Sequence, residues 1–211
     1  TVAIKIANRN LSGSINIIQS DTQIDNLKII NSNAEDAINI VSSPFLIKSL
    51  YIDSSFSDAI DLDFSRGEIK KLNCNNIGND CLDISESEVS ANEIIVTKSQ
   101  DKAISVGENS TMKADTIIIS DSAIGLVSKD GSSLEVKNAQ VINVQLPIAV
   151  FKKKPSYGEP SIFINSITSD QEIFGLFEKD SKVLVGNNVT KKILKSAQIE
   201  ELLYGAVYGK A

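Results

Sequence analysis

A small residue followed by apolar, variable and apolar positions recurs along most of this chain. The copies are Ser14-Ile15-Asn16-Ile17, Ala37-Ile38-Asn39-Ile40, Ala59-Ile60-Asp61-Leu62, Cys81-Leu82-Asp83-Ile84, Ala103-Ile104-Ser105-Val106, Ala123-Ile124-Gly125-Leu126 and Pro147-Ile148-Ala149-Val150. Their first residues are spaced by 23, 22, 22, 22, 20 and 24, and Ile173-Phe174-Gly175-Leu176 is a degenerate eighth copy. Alternation of this kind marks a strand with one buried face. A second apolar set precedes the copies, as at Leu50 and Ile52, Leu72 and Cys74, and Ile94 and Val96, nine and seven residues upstream. Each period therefore holds at least two short strands joined by Asn/Ser/Asp/Gly-rich turns, with no amphipathic helix between them. The pattern predicts an all-β fold, a right-handed parallel β-helix (a β-solenoid) of about eight coils of ~22 residues.

A leucine-rich repeat has a similar period, and Ile69, Leu72 and Cys74 imitate its opening. Ile77 fills its asparagine position, however, and the second half of every period reads as strand. An ice-binding solenoid would need ladders of Thr that the chain lacks. The ends differ from the middle. Thr1 to Ile6 reads as strand, so an open N-terminal edge is expected there, covered by a preceding domain of the same chain or by a partner. Val189 to Leu203 carries Ile193, Leu194, Ala197, Ile199, Leu202 and Leu203 near helical spacing, with Gly205 after it. The expected organisation is a β-helix over 1–188 and a capping helix and tail over 189–211, together forming the C-terminal part of a larger protein. Lys152 to Pro160 (KKKPSYGEP) reads as an inserted loop with an exposed Tyr157.

Composition supports strands: 31 residues are isoleucine, and tryptophan and histidine are absent. A net charge of −6, with arginine only at Arg9 and Arg66 and no basic cluster beyond Lys152, Lys153 and Lys154, argues against nucleic acid and against an anionic membrane. No apolar run approaches the ~18 residues of a membrane span. Cys74 and Cys81 are too few for a disulfide scaffold or, without histidine, a zinc site. Buried thiols are the favoured reading, and a bridge between them would point to an oxidising compartment.

Stacking turns residues 22 apart into ladders on adjacent coils. Asn31, Asp53, Asn75 and Thr97 form one, suited to turns and to hydrogen bonding along the stack. Asp36, Asp58, Asp80 and then Lys102 form a second, and Asn39, Asp61, Asp83 and then Ser105 a third, with Asp63 close by. Asp58, Asp61, Asp80 and Asp83 are thus expected on one stretch of outer surface across two coils. Carboxylates so close repel, which raises a pKa, recruits a cation or calls for a neighbour such as Lys102. The patch is a candidate site for sugar hydroxyls (Asp58, Asp61, Asp80, Asp83, Lys102), for Ca²⁺ held by the four aspartates, or for a catalytic carboxylate pair. Against all three stands the plain reading that Asp suits tight corners and solvated strand faces. Cys81 belongs to the small corner column Ala37, Ala59, Ala103 and Ala123, and Cys74 to an inward column with Ile52 and Val96.

Ser57-Asp58-Ala59-Ile60-Asp61-Leu62, followed by Gly78-Asn79-Asp80-Cys81-Leu82-Asp83-Ile84, resembles consecutive coils of the polygalacturonases. The resemblance implies Asp58 and Asp80 at two of the three catalytic aspartate positions. The remaining positions depart from the pattern: Asn79 stands for the general acid, Lys102 for the histidine, and Gly125 and Val127 for the substrate-binding Arg and Lys. An amide cannot protonate a glycosidic leaving group. A wider resemblance is to β-helix regions at the C-termini of bacterial secreted or surface proteins, some similar to the spore-coat protein H kinase-like family. It rests on Asp58-Ala59-Ile60-Asp61, Ile77-Gly78-Asn79-Asp80, Ile104-Ser105-Val106-Gly107-Glu108, Ile124-Gly125-Leu126-Val127-Ser128-Lys129-Asp130, Lys153-Lys154-Pro155 and the tail Leu203-Tyr204-Gly205 with Tyr208-Gly209-Lys210. It implies a module with no catalytic residues to carry over. The leading expectation is a non-catalytic scaffold or recognition module of a bacterial extracellular or surface protein, with polysaccharide as its ligand and no required cofactor. The alternative is a hydrolase, lyase or epimerase on uronate polymers that uses Asp58, Asp61, Asp80 and Asp83 with Ca²⁺.

Overall fold

The computed structural model describes residues 12–186 and 188–208, and every strand pairing in it is parallel. The first coil carries β1 (Gly13–Ile18), β2 (Thr22–Ile24) and β3 (Leu27–Ser32), and the second β4 (Asp36–Val41), β5 (Pro44–Ile47) and β6 (Leu50–Ser55). From the third coil the last two strands fuse: β7 (Asp58–Asp63) and β8 (Arg66–Ile77), β9 (Leu82–Ser85) and β10 (Glu88–Ser99), β11 (Lys102–Gly107) and β12 (Thr111–Ser120). Then come β13 (Ile124–Lys129) and β14 (Ser133–Ile142), β15 (Leu146–Phe151) and β16 (Ser161–Ser169), β17 (Ile173–Glu178) and β18 (Lys182–Leu184), β19 (Val189–Leu194) and α1 (Ser196–Tyr204). One sheet, here sheet A, takes the first strand of each coil in the order β1-β4-β7-β9-β11-β13-β15-β17-β19, and sheet B takes the rest. The protein is a parallel β-helix of about eight turns with one short C-terminal helix. The strand expected over Thr1 to Ile6 lies outside the described residues.

The interior is a stack of identical columns. Ile38, Ile60, Leu82, Ile104, Leu126 and Ile148 are successive partners on sheet A, all fully buried. Leu50, Leu72, Ile94 and Ile117 do the same on sheet B. Each coil covers its apolar edge only with its neighbours, so stability is a sum of similar stacking contacts.

Register decides which residues share a column, and the structure adjusts the sequence reading in three places. Ile104 pairs with Leu126 and Lys102 with Ile124, so the sixth copy is Ala123-Ile124-Gly125-Leu126 moved on by two, to Gly125-Leu126-Val127-Ser128. Gly175 is the partner of Ile148, one residue beyond the position read for the eighth copy. Ile30, not Asn31, pairs with Asp53, because the first two coils are offset by 23 residues. Asp53, Asn75 and Thr97 do form a ladder, with Asn75 Nδ2 donating to Asp53 Oδ1 at 2.8 Å.

The corners use a device absent from the sequence reading. Asn31, Ser54, Asn76, Lys98, Asp121 and Asn143 all adopt positive φ, between 51° and 65°, and Ser42, Phe64, Glu86 and Asp130 do so at the opposite corner, between 49° and 54°. A left-handed residue turns the chain sharply enough to start the next strand. Behind the second corner a buried serine ladder takes up backbone donors: Ser43 N–H donates to Ser65 Oγ at 3.1 Å, Ser65 N–H to Ser87 Oγ at 2.8 Å, and Ser87 N–H to Ser110 Oγ at 3.1 Å.

Cys74 and Cys81 form a disulfide, where buried thiols were the favoured expectation. Cys74 faces inward from β8 and Cys81 lies at the next corner, seven residues on with Cα atoms 6.2 Å apart, so the column positions themselves bring the sulfurs together. The helix is shorter than the expected 189–203 span, since Val189–Leu194 is β19, paired with β17. What α1 seals is a flank: Ile199 and Leu203 pack against Ile124, Val127, Leu146, Ala149, Phe151 and Leu176, the outward residues of β13, β15 and β17. The KKKPSYGEP loop folds back instead of projecting. Tyr157 is half-buried and its hydroxyl donates to Glu86 Oε1 at 3.0 Å, while Asp130 Oδ1 accepts from the backbone N–H of Lys153 and Lys154 at 2.7 and 2.6 Å.

Candidate functional site

Asp61, Asp63 and Asp83, among the aspartates singled out by spacing, lie on the outer face of sheet A. Alternation dictates this: Ile60 and Leu62 fill the core, so Asp61 and Asp63 face out, as do Asp83 from β9 and Ser105 from β11. Asn39, Asp61, Asp83 and Ser105 are successive Cα partners and form one row along the rod. Asp36 and Asp58 are partners at the strand starts, and Asp80 and Lys102 continue that row.

The two rows do different work. In the strand-start row Asp58 and Asp80 are structural acceptors for the following coil: Asp80 N–H donates to Asp58 Oδ1 at 2.8 Å, and Lys102 N–H donates to Asp80 Oδ1 at 2.8 Å. Asp80 is only 3 % exposed, and so is Lys102. Lys102 Nζ lies 2.6 Å from Asp101 Oδ2 and 3.6 Å from Asp80 Oδ1, under the ring of Tyr204 at 5.3 Å. Burial pushes the Asp80 carboxyl up and Lys102 opposes it. Burial also works against the Lys102 charge, but Asp80 and Asp101 outweigh it and hold the ammonium above its ordinary range. Burial raises Asp58 as well, partly offset by the Asp80 N–H.

The outward row is more open and more crowded with like charge. Asn39 Nδ2 bridges Asp36 Oδ2 at 3.2 Å and Asp61 Oδ2 at 3.3 Å. Burial, then Asp63 and Asp83, push Asp61 up to about 8, and burial, then Asp83 and Glu108, raise Asp63. Lys129 reaches from β13 across Gly107, whose missing side chain leaves the path free, to bring its Nζ 3.8 Å from Asp83 Oδ1. A Cβ at Gly107 would come within 2.5 Å of Lys129 Cε. Burial disfavours the Lys129 charge, yet Asp83 holds its pKa above the ordinary value.

Spacing therefore gathers Asp58, Asp61, Asp80, Asp83 and Lys102 on one face, but Asp80 and Lys102 are sealed beneath it. Spacing missed Lys129 and Tyr204. Lys129 stands 22 residues after Gly107, a signal hidden by the two-residue slip in register, and Tyr204 arrives from a helix whose docking no repeat encodes. Among the described residues no group of three or more carboxylates is gathered so that it could hold a metal ion. The carboxylates are strung along the rod instead of converging. None of the described helices is long and apolar enough to cross a membrane.

A separate groove of about 550 Å³ runs over the bend of sheet B, across β8, β10, β12, β14, β16 and β18. The bend arises where alternation breaks: Ala91 and Ile94 both point inward, leaving Asn92 and Glu93 outside, and the same step recurs at Ala114 and Ile117. Phe163 and the exposed Leu184 give the groove its accessible apolar surface, over the buried Val136 and Ile164, and Asn92 and Asn165 its amides. Paired charges stand on its sides, Lys113 with Glu135 at 3.2 Å and Lys137 with Asp115 at 2.5 Å. Comparison with family models, with curated proteins and with solved structures gives no match for this chain.

Proposed function

We propose that this chain is a non-catalytic recognition module that holds an extended polysaccharide, and that it works as part of a bacterial extracellular or surface protein. One observation carries the reading: the sheet B groove runs across successive coils, with apolar surface for sugar ring faces and side-chain amides for hydroxyls. Coils repeat every ~4.8 Å, close to the rise of one hexose in an extended glycan, so equivalent side chains meet equivalent sugars. The core disulfide favours an oxidising compartment.

The alternative, an enzyme acting through Asp58 and Asp80, has one observation in its favour: Asp61, raised to about 8, would hold a proton at neutral pH as a general acid must. In the observed register the family's Arg and Lys positions move from Gly125 and Val127 to Val127 and Lys129, which supplies the lysine but not the arginine. Against it, Asp58 and Asp80 accept backbone hydrogen bonds within the stack, and Asp80 is too buried to touch a substrate.

The test is calorimetry against neutral and uronate polysaccharides, with a parallel assay for reducing ends and unsaturated products. The expected result is binding without turnover, weakened about tenfold or more by Phe163→Ala combined with Asn165→Ala. Turnover that Asp61→Asn abolishes would establish the enzyme instead.

A further inference from the structure

The outer face of sheet A already holds ammonium groups, supplied by the chain itself. Lys102 serves Asp101 and Asp80, and Lys129 crosses a neighbouring strand to approach Asp83. On the preceding coil the pattern stops. Among the described residues no ammonium lies within ion-pair reach of Asp61 or Asp63, and the side-chain partner of Asp61 is the neutral Asn39 amide.

A second observation lies at the other end of the same row. Ser105 follows Asp83, is fully buried on the strand that Lys129 crosses, and its Oγ has no hydrogen-bond partner. Native folds seldom leave a buried hydroxyl unsatisfied unless a bound species completes it. The row therefore combines carboxylates without counter-ions, a lysine of the chain itself seated 3.8 Å from a third carboxylate, and an orphan hydroxyl on the strand it crosses. A metal ion would need several carboxylates brought together, and among the described residues no three are so gathered. A linear ligand with charges repeated along its length fits the same geometry.

We propose that the row Asn39, Asp61, Asp83 and Ser105, with Asp63 beside it, is a binding track for a linear polyammonium ligand, an amino-sugar oligomer or an aliphatic polyamine. Its ammonium groups pair with Asp61 and Asp63, and one displaces Lys129 from Asp83, which opens Ser105 to a ligand donor or hydroxyl. Burial raises Asp61 and Asp63 most and the neighbouring carboxylates add to it; an arriving cation offsets that second contribution, so binding and carboxyl ionisation are linked.

The experiment is calorimetry of the whole chain at low salt with a glucosamine tetramer, a linear aliphatic tetraamine, the N-acetylated tetramer and CaCl₂, alongside carboxyl NMR titration of Asp61. Binding of either amine is expected, with the tighter one naming the source. Asp61→Asn/Asp63→Asn should weaken it at least about tenfold, a loss of roughly 1.4 kcal/mol. The Asp61 midpoint should fall from about 8 on saturation. Asp83→Asn is a second variant in case the first folds poorly, and the groove variant Phe163→Ala should leave amine binding unchanged, which keeps this site distinguishable from the polysaccharide groove. The proposal is overturned if neither amine binds, if the N-acetylated tetramer binds as well, if only Ca²⁺ binds, or if the aspartate variants bind like the parent.

Discussion

Asp80 and Lys102, partners on consecutive coils, keep only 4 % of each side chain in contact with solvent while Lys102 Nζ bonds Asp101 at 2.6 Å and lies 3.6 Å from Asp80. Such a group of charges is costly to form and costlier to break, because removing one partner strands the others away from water. Lys102→Met should therefore lower stability by about 3–5 kcal/mol. Adding Asp80→Asn to it should recover part of that loss. Urea unfolding of the two single variants and the double variant measures the coupling, and additive losses would mean the pair is not an energetic unit.

Asp61 makes a claim about pH. Its folded pKa, about 8, lies above the unfolded value near 3.8, so the folded state binds the extra proton throughout that window. Stability should fall as pH rises from about 4 to 8, with the full penalty present above the folded pKa and none below the unfolded one. Asp61→Asn should flatten this slope and stabilise the protein at pH 8 by about 1–3 kcal/mol. Thermal unfolding across pH 4 to 9 checks it, and an unchanged slope in the variant would assign the pH dependence elsewhere.

The repeat made the solenoid readable because its inward columns obey one rule: Ile38, Ile60, Leu82 and Ile104 need only be apolar and stand 22 residues apart. The same rule laid out Asp61 beside Asp83. It failed at Leu126, since Ala123-Ile124 offers a second small–apolar pair two residues early, and only hydrogen-bond register tells the two apart. The left-handed corners were unreadable for another reason. Phe64, Glu86 and Lys98 are poor left-handed residues by type, and the stack imposes the conformation on them. The serine ladder was legible in principle, with Ser43, Ser65, Ser87, Ser110 and Ser132 at 22- or 23-residue intervals, but serine is too common to stand out without its burial.

That ladder supports a prediction of its own. Ser65 Oγ accepts from Ser43 N–H, and Ser65 N–H in turn donates to Ser87 Oγ. Replacing the hydroxyl with a methyl group orphans a buried backbone donor, at a cost of about 1–3 kcal/mol. Ser65→Ala should lose this much in urea unfolding, whereas the exposed Ser90→Ala should change stability by less than about 0.5 kcal/mol.

The disulfide closes a short loop, seven residues apart in sequence. Chain entropy for so small a ring gives about 2–3 kcal/mol. Cys74→Ala/Cys81→Ala should lower stability by that amount and leave the fold intact, because both positions sit in columns that alanine or larger apolar residues fill elsewhere. Both sulfurs are buried, so native protein should resist a thiol reductant and react only on unfolding. Thiol titration with and without denaturant distinguishes the two states.

The helix raises the question of whether the flank and the coils melt as one. Ile199 and Leu203 belong to a hydrophobic cluster separate from the interior columns, built on the outward residues Val127, Ala149 and Phe151. Leu203→Ala should cost about 2–5 kcal/mol if the cluster is coupled to global unfolding. If instead α1 detaches as a local unit, the same change should speed amide exchange in Ser196–Tyr204 and leave β11 and β13 protected. The separate cluster favours the local outcome. It also predicts that detachment uncovers Lys102, which Tyr204 roofs at 5.3 Å, so Lys102 should acylate faster in Leu203→Ala than in the parent protein. Equal acylation rates would mean that the coil, not the helix, keeps that lysine from solvent.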